Sequence, residues 1–265
     1  MEINTRLSEQ VSAQRSVYND KFAEGPRKEL FEGGPLTRWL TSWRYKKAIT
    51  KLFEHAGDIV NTESSVLVVG AADGYESRTL FDCGFRDVSV TDFSEVAVRL
   101  AVERDPRVRG FALNLEDAVN VPDNSFDIVV AQDMLHHLPR PVNGFTEMLR
   151  MARHAVIFLE PHDSFVGRRI GTIWEENNGF KNYVFRWTKD LVNDVTSSYL
   201  GHPEFMNLSF SFWHHNIQME RIGRALGGGR FAVFALSTTK TFLNGALAGS
   251  ANQFCGMIVK KSPGR

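Results

Sequence analysis

The chain has 265 residues, 43% of them hydrophobic, which suits one sizeable α/β domain with an insertion or a small cap. Lysine and arginine number 31 and aspartate and glutamate 31, so the formal charge is zero. Such a balance argues against tight nonspecific nucleic-acid binding, which needs a basic face, and leaves only a local basic patch open.

In chain order, residues 1–60 read as a helical cap segment. LTRWLTSWRYKKAITKLFEHAG places Leu36, Trp39, Leu40, Trp43, Lys47, Ile49 and Phe53 at three- and four-residue steps, with Gly57 as the stop. The polar start MEINTRLSEQ carries no signal-peptide pattern. No apolar run approaches the ~18 residues that span a bilayer. A soluble cytoplasmic protein with no membrane partner is therefore expected.

From 64 to about 160, strands and helices alternate. Ser65–Val69, Asp87–Thr91, Phe111–Leu113, Phe126–Ala131 and Ala155–Leu159 read as strands. Tyr75–Cys83, a segment capped by Ser94, and Val142–Arg153 read as helices. This alternation implies crossovers and a mostly parallel sheet. Residues 161–213 break the rhythm with a run of aromatics, including Phe165, Trp174, Tyr183 and Trp187. Ile217–Leu226 then reads as a helix, Gly227–Gly229 as a turn, and Phe231–Leu236 and Phe254–Lys260 as strands. Cys83 and Cys255 form no CxxC pair, so they read as buried free thiols and no metal is expected.

The stretch VLVVGAADG ends a strand on Gly70, Ala71, Ala72 and Gly74, where almost absent side chains let backbone approach a ligand. Asp92 follows at the end of the next strand, positioned to accept hydrogen bonds from ribose hydroxyls. The G-A-A-D-G spacing departs from the GxGxxG of dinucleotide enzymes, and an aspartate in the loop repels a pyrophosphate. A nicotinamide dehydrogenase is therefore disfavoured.

Together with VTDFS, NLEDAVNVPDNSFDIVVAQDMLHHL and FLEP, the glycine stretch resembles the class I S-adenosylmethionine-dependent methyltransferases, small-molecule branch, over residues 60–160. The resemblance implies a Rossmann-like seven-stranded, mostly parallel sheet with helices on both faces. It implies a methyltransferase domain at 61–265, with 161–213 as a substrate-covering insertion after strand five. It implies S-adenosyl-L-methionine held by Gly70, Ala71, Gly74, Asp92, Phe93, Asn114, Leu115 and Gln132. The chain departs from the family pattern at Val68, where an acid is usual, and at Ala72, where glycine is usual. Asp73 is left either to face the ammonium of the cofactor or to face solvent.

Methyl transfer from a sulfonium needs alignment more than acid–base help, and a base only where the acceptor carries a proton. His137, in LHHL, and His162, beside Asp163, are the candidate catalytic residues; a capping or packing role stays open for the LHHL histidines. A metal set from His162, Asp163 and His214 is conceivable and not expected. The acceptor is expected to be a small molecule bearing oxygen or nitrogen, with no nucleic acid. The insertion's aromatics and Arg168, Arg169, Lys181 and Arg186 either hold that molecule or pack a cap of their own. Tyr18 falls where related proteins fold a segment over the cofactor. Formation of a homodimer stays open, as does a cofactor-binding role on the same fold that is noncatalytic or serves a different reaction.

Overall fold

The computed structural model describes residues 2–25, 32–177, 180–201 and 204–261. Two long helices come first, α1 (Glu2–Ala23) and α2 (Pro35–Ala56). The alternating region follows as β1 (Val66–Val69), α3 (Tyr75–Asp82), β2 (Val88–Asp92), α4 (Glu95–Arg104), β3 (Arg109–Ala112), β4 (Phe126–Gln132), α5 (Pro141–Met151) and β5 (Ala152–Pro161). β1 is buried at all four positions and β2 at all five, as expected of strands covered on both faces.

The sheet runs β3-β2-β1-β4-β5 in parallel and then turns antiparallel at β10 (Gln253–Lys260). The chain leaves β1 for β2 on one side and returns to β4 on the other, which opens a crevice at the carboxyl ends of β1 and β4. Strand alternation sorts the core. Val66, Val68, Ile128, Val130 and Ile157 face Tyr45, Ile49 and Leu52 of α2. Leu67, Val69, Val129 and Phe158 face Phe145 and Met148 of α5 and Trp187.

Two features beyond the strand-helix repeat differ from expectation. The edge after β10 is formed by β8 (Phe205–Asn207) and β9 (Phe210–Phe212), both antiparallel to it. The central sheet therefore has eight strands, filling seven positions. β8 and β9 share one register; between them the Met257 N–H donates to the Ser209 hydroxyl at 2.9 Å. A short side chain thus stands in for one backbone acceptor. The 161–213 segment accordingly ends within the sheet, after α6 (Phe165–Ile170), the hairpin β6 (Trp174–Asn177) and β7 (Phe180–Tyr183), and α7 (Lys189–Leu200).

The second correction concerns Phe231–Leu236, which lies in a helix, α9 (Arg230–Ala246), following α8 (Asn216–Ala225) and the Gly227–Gly229 turn. Its buried residues are Ala232, Leu236 and Lys240, spaced by a helical four, while Phe231 and Phe234 are exposed. In sequence the run looks like a strand because its outward phenylalanines fill the gaps in that period.

Lys240 is 1% exposed, with Nζ 3.2 Å from the Trp43 ring centroid, near Trp39, and against His214 Nδ1. Burial, aided by Arg44 and Lys47, pushes its pKa down from 10.5 to about 6. The unfolded chain holds this proton to higher pH than the folded one does. The destabilisation is therefore complete below about pH 6 and fades as pH rises toward 10.5. Lys240→Met is expected to stabilise the fold by about 1–4 kcal/mol at neutral pH. Thermal melts should show that advantage shrinking as pH rises; a constant gap contradicts it.

Candidate active site

At the mouth of the crevice the chain makes a tight bend. Gly70 has φ +64°, and a Cβ there would meet Met134 Cγ at 2.1 Å, so only glycine fits. Ala72 follows at φ +49°, a strained setting for a residue with a side chain, and Gly74 caps α3 at φ +78°. The bend is pinned to β2. The Ala71 N–H donates to the Thr91 carbonyl at 2.9 Å, and the Ala72 N–H donates to Asp92 Oδ2 at 2.9 Å. The other carboxylate oxygen of Asp92 accepts the Ser94 N–H at 2.9 Å. A carboxylate oxygen can accept more than one hydrogen bond.

Above this bend lies a cavity of about 400 Å³. One end is lined by Phe93, Leu113, Asn114, Leu115, Leu138 and Pro139, a mostly apolar slot suited to a flat ring. The other end gathers Arg44 from α2, Tyr75 and Glu76 from the first turn of α3, Gln132 at the end of β4 and Asp133 just past it. Gln132 Nε2 donates to the Tyr75 hydroxyl. α1 forms the roof through Gln14, Tyr18, Lys21 and Phe22, with Tyr18 edge-on to Phe93 at 5.4 Å between ring centroids.

The wall beside His137 is strongly polarised. Arg44 grips Asp133 through both Nη atoms, with Nη1 at 2.9 Å from Oδ1. Burial would lower the Arg44 pKa, but the adjacent Asp133 carboxylate outweighs it and raises it. Burial would likewise raise Asp133, and Arg44 holds it low. At the end of β5, Glu160 accepts the Met134 and Leu135 N–H groups at 2.8 and 2.7 Å. Its second oxygen lies 2.5 Å from His136 Nδ1. Burial opposes the charged form of His136, but Glu160 overcomes it and raises the pKa to about 9. Burial and then the charge on His136 push His137 down to about 3.

Residues 67–159 match the methyltransferase-domain family. Over those residues the chain carries a methyltransferase domain of the S-adenosylmethionine-dependent kind. Its cofactor is S-adenosyl-L-methionine. Among solved structures it resembles the magnesium protoporphyrin IX methyltransferase of Synechocystis PCC 6803 with bound S-adenosylhomocysteine. That match has TM-score 0.56 and 12% identity, covering 95% of this chain and all of the other. It also resembles a putative methyltransferase of Haloferax volcanii complexed with the activator Trm112, at TM-score 0.51 and 13% identity, covering 84% and 96% of the two chains. Identities this low speak for the fold alone. No curated protein matches the chain in sequence.

Gly70, Asp92, Phe93, Asn114, Leu115, Gln132 and His137 all line the cavity above the bend. Ala71 and Gly74 do not line it; the Gly74 N–H donates to the Ala71 carbonyl at 2.8 Å and closes the bend. His162 stands outside, its Nδ1 2.7 Å from the Ala251 carbonyl and its ring stacked on Phe254, an arrangement that suits packing. Asp73 meets neither expectation. It is fully buried and pairs with Arg104 at 3.4 Å, away from both solvent and cavity.

Sequence reasoning missed Glu76 and Arg44. Glu76 lies in the first turn of α3, where acids are common as helix-dipole partners, and nothing local separates the two uses. Arg44 sits on the buried face of α2, between positions whose apolar spacing had defined the helix. A second cavity of about 420 Å³ adjoins the first and shares Arg44, Asp133 and His137 with it. Glu175, Arg186, His214, His215 and Asn252 line its remainder. Among the described residues, no helix is long and apolar enough to cross a membrane.

Proposed function

We propose that the protein methylates an oxygen or nitrogen atom of a small molecule held in the second cavity. The observation that carries this reading is the common wall of Arg44, Asp133 and His137, through which the two cavities adjoin. S-adenosyl-L-methionine, when bound, supplies an electrophilic methyl on a sulfonium that leaves without assistance. The protein's task is then to align the two partners and exclude water.

The residues divide that work by chemistry. Asp92 accepts from the ribose hydroxyls, and Phe93, Asn114 and Leu115 flank the adenine. Gly70 and Ala72 offer backbone close to the amino-acid tail, with Ala71 and Gly74 holding the bend. Glu76 takes the place of the acid that Val68 lacks and faces the ammonium, with Gln132 and Tyr75 beside it. α1 serves as a lid: Gln14 Nε2 donates to the His137 carbonyl and to Asn182 Oδ1 on β7, at 3.3 and 3.1 Å, bridging cofactor cavity and hairpin. The polar lining at Arg186, His214, His215 and Asn252 suits an acceptor rich in oxygen. A histidine held as far below neutral as His137 is a weak proton acceptor. Acceptors that arrive deprotonated, or that are ionised by another agent, are favoured.

Calorimetry with S-adenosylhomocysteine is expected to show one site per chain. Labelled S-adenosyl-L-methionine, offered with a small-molecule extract, RNA and protein in separate reactions, is expected to mark the small-molecule fraction. Label only in RNA or protein removes this reading of the acceptor. No binding at high micromolar removes the reading as a whole.

A further inference from the structure

We propose that His136, His137 and Glu175 form a binding site for a divalent transition-metal ion, zinc or a chemical neighbour, at the wall between the two cavities. Their three donor atoms lie within 4.8 Å of one another. Glu175 Oε2 stands 3.8 Å from His136 Nε2 and 3.5 Å from His137 Nδ1. Two ligands about 2.0–2.2 Å from a tetrahedral zinc are roughly 3.3–3.6 Å apart, so the side chains need move only slightly to close on an ion.

Two further observations point to a ligand. His137 Nδ1 is buried with no hydrogen-bond partner among the described residues. A buried polar atom left this way costs about 1–3 kcal/mol unless something fills its lone pair. His136, moreover, is arranged as metal-bound histidines usually are. Its Nδ1 is engaged by the fully buried Glu160 carboxylate at 2.5 Å, and Nε2 is the nitrogen turned toward Glu175. Adjacent histidines usually diverge; here the short turn of Leu135–His137 brings the two rings to 4.2 Å between centroids.

Two imidazoles and one carboxylate suit zinc, iron, cobalt or nickel, and discriminate against magnesium and calcium, which require oxygen donors. Three protein ligands leave at least one position open, as in catalytic sites. The open position is where an acceptor oxygen in the second cavity can bind. A coordinated hydroxyl loses its proton to solvent more readily, which leaves an oxygen able to take the methyl group. This role rests on the acceptor reading above; the existence of the site does not.

The test uses the full chain after treatment with chelator and dialysis. Zinc is titrated by calorimetry and cobalt by its visible absorption. One ion per chain is expected, with no response to magnesium. Glu175→Gln, on a hairpin outside the core, should weaken zinc at least about tenfold, and His137→Ala should do the same. Thermal melts and S-adenosylhomocysteine binding should both survive in Glu175→Gln. No zinc or cobalt uptake by the wild-type chain at high micromolar overturns the proposal, and so does unchanged affinity in both variants. Loss of S-adenosylhomocysteine binding by the wild type would instead strike the functional reading and leave the metal result standing.

Discussion

Asp92→Ala is expected to lower affinity for S-adenosylhomocysteine by about 100-fold or more. Hydrogen bonds to a charged partner contribute about 1.5–3 kcal/mol each, and a ribose offers two hydroxyls to one carboxylate. The variant also releases the bend. The Ala72 and Ser94 N–H groups lose their acceptor, and Ala72 is already in a strained left-handed conformation. A fall in melting temperature should therefore accompany the loss of binding. Asp92→Asn separates the two effects. Its carbonyl oxygen keeps one acceptor, its amide cannot replace the other, and its affinity should fall between wild type and alanine. Calorimetry on the three proteins decides the matter. Undiminished binding by Asp92→Ala would remove the ribose role and with it the proposed orientation of the cofactor.

The parts of this fold that were legible in the sequence share one property: local chemistry decides them. β1 and β2 are short apolar runs buried on both faces, and the Ser94 hydroxyl accepts the Ala97 N–H at 3.2 Å as a cap should. The glycine bend announces itself because left-handed backbone restricts residue choice. What stayed hidden depends on distant partners. The β8–β9 edge is two segments of three residues, too short for an alternation pattern, and exists because β10 offers it a register. α9 hid its period because its solvent side is as apolar as its core side. Asp73 was placed by a partner on α4, 31 positions along the chain. Arg44 was invisible for the same reason: its meaning lies in Asp133, 89 residues away.

That last pair carries the second large effect, and its two halves should behave unequally. The Arg44 side chain is 3% exposed, whereas Asp133 opens 40% of its side chain to the cavities it lines. Removing the carboxylate leaves a buried guanidinium whose remaining side-chain hydrogen-bond partner among the described residues is Gln253, at 3.3 Å. Removing the guanidinium leaves a carboxylate that water can reach. Asp133→Ala is therefore expected to cost about 3–5 kcal/mol, the range for an uncompensated buried charge. Arg44→Met, which keeps the packed stem, should cost clearly less, on the order of 1–2 kcal/mol. Asp133 has φ +48°, so part of the alanine cost is backbone strain. Asp133→Gly removes the same charge without that strain and gives the electrostatic share. In Arg44→Met/Asp133→Ala the loss should be smaller than the sum, because the orphaned charge is gone. Denaturant titration of the set tests the order. If Arg44→Met proves the more damaging single change, the guanidinium holds the α2–β4 junction by packing, and the polarised wall between the cavities is not maintained by this ion pair.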